Sequence, residues 1–116
     1  MANATSFAYQ DLRNYITNNW NYIELRDSQG NPALRISTSD TRVSWTHSAG
    51  SQTLELTIVI QGSNSDVQLP QEFSQSAIYK VVSGGQPVSV ENFPVFTMEG
   101  IGDQLTIKHR IEVPRI

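Results

Sequence analysis

Residues 105–113 alternate without interruption: Leu105, Ile107, His109, Ile111 and Val113 fall on one side, Thr106, Lys108, Arg110 and Glu112 on the other. Only a β-strand separates two such sets, because successive side chains of a strand point to opposite faces. A strand with four polar or charged residues along one face keeps that face in water or against a polar partner, so the pattern predicts half-wet antiparallel sheet. Residues 53–61 repeat it, with Leu54, Leu56, Ile58 and Ile60 on one face and Thr53, Glu55, Thr57 and Gln61 at the positions between or after them. The four apolar residues are expected to share a core with Ile107 and Ile111.

The period changes near the start of the chain. Ala8, Leu12, Tyr15, Ile16 and Trp20 recur at spacings of three and four, Thr5 or Ser6 can cap, and no glycine or proline intervenes. That predicts one amphipathic helix over about residues 6–20, ended by Asn18, Asn19 and Asn21. Its Leu12, Ile16 and Trp20 stripe is expected to pack on its own sheet, across an open end of it, or on a neighbouring subunit. Ile23 and Leu25, then Leu34 and Ile36, read as a hairpin around the turn formers of 27–32, and Val43, Trp45 and His47 share a further face. Short extended pieces follow around 67–69, 77–82, 88–93 and 95–98, punctuated by a glycine pair at 84–85 and by a 99–103 loop carrying Gly100 and Gly102. Seven or eight short strands with regular turn signals predict a mainly β fold, an antiparallel β-sandwich or small barrel with one N-terminal helix. The 116 residues are read as a single domain, with the last strand running almost to Ile116.

Composition narrows what such a domain can do. The absence of cysteine removes disulfides, thiolate metal sites and cysteine nucleophiles. No basic and apolar leader opens the chain and no run is long enough to span a membrane, so synthesis in the cytoplasm and no membrane partner are expected. Charged residues are only 16% of the chain, while Ser, Thr, Asn and Gln occupy a third of it. A neutral polar surface is cheaper to desolvate than a Lys/Glu-rich one, which suits repeated protein contacts. The net charge of −3 gives no general attraction to nucleic acid, and no nucleic-acid partner is expected.

Catalytic chemistry finds little support. His47 and His109, the two histidines, have no metal-ligand spacing and each sits on an otherwise apolar face, so both are expected to be partly buried and hydrogen-bonded. No phosphate-binding glycine loop, nucleophile elbow or His-Glu-x-x-His segment occurs. No catalytic residue, metal ligand or cofactor is assigned, and a non-enzymatic role is expected. Trp20, Tyr22, Trp45 and Tyr79 define an alternative role as a small-ligand or carbohydrate-binding module, since a flat apolar ring with a polar tip fits a sugar. Trp20 continues the helix stripe and Trp45 lies beside Val43, so core packing is the favoured reading of both.

The leading amphipathic helix, the hairpin and a β-rich body with a Ser/Thr/Asn/Gln-rich surface resemble the small virion proteins of tailed bacteriophages. Asp40-Thr-Arg-Val-Ser-Trp45 and Ser83-Gly-Gly-Gln-Pro87 share that character. The resemblance implies a structural protein of head–tail joining, tail accessory or capsid decoration type, working as a multimer within the virion. Its expected partners are further copies of itself and other virion proteins. Leu12, Ile16 and Trp20 on the helix, and Lys108, Arg110 and Glu112 on the last strand, are the interface candidates. The uncharged segments 67–69, 88–90 and 95–98 are the candidate pairing edges.

Overall fold

The computed structural model describes residues 2–48 and 50–113. In order it contains α1 (Ser6–Asn19), β1 (Tyr22–Arg26), β2 (Pro32–Ser37), β3 (Val43–Trp45), β4 (Thr53–Gln61), β5 (Gln71–Tyr79), β6 (Ser89–Met98) and β7 (Gln104–Glu112). The strands form two antiparallel sheets, ordered β2-β1-β5-β6 and β3-β4-β7. The mainly β architecture read from the alternation is therefore correct, with seven strands. Position 113 follows β7 outside the strand, and positions 114–116 lie outside the described residues.

Between the sheets, Leu56, Ile58 and Ile60 of β4 meet Ile23 and Leu25 of β1, Phe73 and Ile78 of β5, Met98 of β6 and Ile107 of β7. Leu54, Leu56, Ile58 and Ile60 are fully buried, Ile107 is nearly so, and Ile111 is partly buried, which places the expected face inside. β4 and β7 stay in register from Thr53↔Glu112 to Gln61↔Gln104, so both outward faces reach solvent together.

Thr5 caps α1, its Oγ1 accepting from the Ala8 N–H at 3.2 Å. The helix covers one end of the sandwich, where Tyr9 and Ile16 pack with Leu54 and Val113, and Trp20 and Trp45 bridge this cluster to the main core. The buried stripe keeps Ile16 and Trp20 of the expected one but not Leu12. Tyr9, Arg13 and Ile16 turn inward, whereas Leu12 and Tyr15 remain about half exposed. The cause is that residues 9, 13, 16 and 20 also follow the helical period and put the larger Tyr9 ring on the sandwich end. Tyr15 instead receives a hydrogen bond from Lys80 Nζ at 2.9 Å.

The later strands also differ from expectation. Residues 67–69 form no strand: Val67 and Leu69 pack against the core from an irregular segment. The piece expected at 77–82 belongs to the longer β5 and stops at Tyr79. The two pieces expected at 88–93 and 95–98 are one strand, β6, continuous through Pro94. Proline is tolerated there because, among the described residues, β6 pairs only with β5, and the register shifts opposite it, between Phe73 and Gln75. Among the described residues no helix is long and apolar enough to cross a membrane.

Candidate functional site

Among the described residues β6 and β7 are edges of different sheets, consecutive in sequence and joined by no hydrogen-bonded ladder. Side chains do the joining at one end. His109 points into the sandwich from β7 and is fully buried; its Nδ1 lies 2.7 Å from Ser76 Oγ on β5 and its Nε2 2.8 Å from Ser89 Oγ on β6. Two residues along β6, the Glu91 carboxylate accepts from the Arg110 backbone N–H at 2.7 Å, taking a position that a ladder carbonyl would otherwise fill. The serine hydroxyls can each donate or accept, so a neutral imidazole is satisfied at both nitrogens. Burial pushes the His109 pKa from 6.5 down to about 4.

Alongside these staples, residues of β6 and β7 line a cleft of about 590 Å³. Its walls include Phe93, Pro94, Val95 and Phe96 from β6 and Leu105 and Thr106 from β7, with Val95 57% exposed. The charged groups at its margin are already engaged. Glu91 is held by Arg110 N–H, while Lys108 Nζ and Arg110 Nε reach Glu55 on β4 at 3.8 and 3.2 Å. The hydroxyl of Thr46 and then those two cations hold the Glu55 carboxyl below its ordinary pKa. Besides these engaged charges, the cleft presents two strand edges flanked by neutral and apolar side chains, Phe93, Pro94, Val95, Phe96, Leu105 and Thr106.

The candidate residues from the sequence are distributed unevenly about this cleft. Lys108 and Arg110 line it, and Glu112 lies exposed further along the same strand. Ile16 and Trp20 are taken up by the chain's own core, leaving Leu12 at the surface. The four aromatic rings do not assemble into a platform. Trp20 and Trp45 pack in the core clusters, while Tyr22 and Tyr79 are cross-strand neighbours on the opposite side of the other sheet, where Tyr79 is 4% exposed beneath Arg35. His47 and His109 do not pair: His47 Nδ1 accepts from the Glu55 N–H at 3.2 Å. Among the described residues no group of three or more metal-ligating side chains comes together.

Ser89 and Ser76 were missed by sequence reasoning, since a single serine on a strand carries no signal of its own. A histidine at an inward position of an alternating strand is the one available hint, because it requires polar partners from whatever faces it. The chain matches no protein-family model, and no curated protein or solved structure is significantly similar to it.

Proposed function

We propose that this chain is a non-enzymatic assembly protein that works as a multimer of itself, with copies meeting at the open β6 and β7 edges, as in a virion component of a tailed bacteriophage. The observation that carries the reading is the cleft itself: two strand edges side by side, unpaired among the described residues, whose flanking charged side chains are held by contacts within the chain. An exposed edge is a template for a strand of another chain. A second copy is the occupant favoured here because a heterologous contact, the β6 edge of one copy on the β7 edge of the next, repeats by rotation into a closed ring. The sparse charge of the surface lowers the desolvation cost of such contacts. A structural role for His109 fits the same picture, since both its nitrogens are engaged in a fully buried site.

Native mass spectrometry and light scattering test this directly. The wild-type protein is expected to show several copies, and Val95→Lys with Thr106→Lys, which place charges on the two open edges, is expected to be a folded monomer. A wild-type monomer at concentrations up to about 100 μM, beyond which association is weak on the affinity scale, overturns the self-assembly reading.

A further inference from the structure

Arg13 sits on the inward face of α1 between Tyr9 and Ile16 and is only 9% exposed. Its one side-chain hydrogen bond among the described residues is long, Nη2 to Gln10 Oε1 at 3.4 Å, and Nε and Nη1 are buried without any partner. None of the ion pairs among the described residues includes it. A guanidinium cannot shed its charge in a protein, and a buried charge with no counter-ion is strongly destabilising. Something of opposite charge is called for at this position.

The surroundings are built for an anion. Two cavities of about 180 and 160 Å³ are both lined by Arg13, and among the described residues no aspartate or glutamate lines either one. In the larger, His47 has its Nδ1 lone pair occupied by the Glu55 N–H, so the ring proton sits on Nε2 as a donor. Asn14 lines the same cavity and has its Oδ1 taken by Gln10 Nε2, which leaves its amide NH₂ to donate. Three side chains of different kinds thus present donors and a positive charge to one small space. At about 180 Å³ the larger cavity has room for a compact oxyanion.

We propose that Arg13, His47 and Asn14 form a binding site for one small oxyanion, a phosphate or a carboxylate, held between α1 and the start of the β3–β4 connection. The site is separate from the β6–β7 cleft and does not depend on it. Inorganic phosphate and acetate, titrated separately at constant ionic strength against chloride, are the probes, and amide NMR shifts are the readout. The expected result is a saturable shift at Arg13, Asn14, His47 and Ser51 with at least one probe; saturation by phosphate alone or acetate alone identifies the source. Arg13→Lys, which keeps the charge but loses the planar donor array, is expected to weaken binding about tenfold. Arg13→Met is expected to abolish it, and if that variant fails to fold the lysine variant supplies the comparison. No saturable shift with either probe, or affinity unchanged in Arg13→Lys, overturns the proposal.

Discussion

Two buried arginine environments in this protein handle the same electrostatic problem in opposite ways. On the outer face of the four-stranded sheet, Glu24 accepts from Arg26 Nε at 2.7 Å and from Arg35 Nη2 at 3.1 Å, and the Arg35 guanidinium lies 3.6 Å from the centre of the Tyr79 ring. Arg26 also donates to Gln75 and to the Tyr79 hydroxyl, and Arg35 Nη1 reaches the carbonyls of Val81 and Gly84. The loop supplying those carbonyls folds back through Gly84 and Gly85, both at positive φ, where a side chain would be strained. Under α1, by contrast, Arg13 keeps two nitrogens without partners among the described residues. The first cluster is complete within the chain; the second is left incomplete among the described residues, and the proposed oxyanion would complete it. Cross-strand pairing accounts for the difference. Glu24↔Arg35 and Arg26↔Gln75 are direct register partners, whereas the helix lies on the sandwich end with no ladder to set a carboxylate opposite Arg13.

The sharpest way to break the contrast is to make the complete cluster resemble the incomplete one. Glu24→Gln leaves two largely buried guanidinium groups uncompensated and is expected to cost roughly 3 kcal/mol in chemical denaturation. A loss near zero would mean that water already compensates both cations. Burial by itself raises the Glu24 pKa, and the hydrogen bonds and charges of Arg26 and Arg35 outweigh it, so the carboxyl stays below its ordinary value. Its contribution is therefore present at neutral pH and lost only as the pH falls through that depressed value.

His109 represents a third solution, burial in the neutral form. Its folded pKa is about 4 against 6.5 unperturbed, so between those values the unfolded chain binds a proton that the folded chain does not. Stability is expected to be full above about pH 6.5 and to decline as the pH approaches 4, by about 3 kcal/mol in total. Denaturant titrations across that window measure it, and His109→Gln, which keeps one donor and one acceptor for the two serines, should flatten the slope. An unchanged slope in that variant would show that the carboxylates, not His109, govern the acid limb.

The smallest effect belongs to a charge cluster nearer the surface. Arg42 bonds Asp40 at 2.9 Å and Asp66 at 2.8 Å, and the Arg42 guanidinium holds the Asp40 carboxyl down at about 2. With the Asp66 side chain 41% exposed, Asp66→Asn is expected to cost under about 1 kcal/mol and less still in high salt. A cost comparable to that of Glu24→Gln would erase the distinction between buried and exposed pairing drawn here.

The legible parts of the candidate sites follow the same division. Period-two alternation placed Lys108, Arg110 and Glu112 on the outer face of the last strand, and His109 on its inner face, where they are found. The serines that meet His109 come from β5 and β6, strands whose boundaries the alternation blurred because Pro94 and a register shift interrupt it. Arg13 carried no anion-site signal, although an arginine within the spacing of Tyr9 and Ile16 marks a helix face on which a charge turns inward.

Local spacing determined the kind of each element: one capped helix, an inward face of Leu54, Leu56, Ile58 and Ile60, and a half-wet last strand, because side-chain direction along a strand or helix is fixed by backbone geometry alone. The tertiary structure decided which helix stripe is buried, which strand edges stay open and which buried charges find partners. Those outcomes depend on what residues distant in sequence bring opposite a given face, and no periodicity within a segment encodes its neighbour across the core.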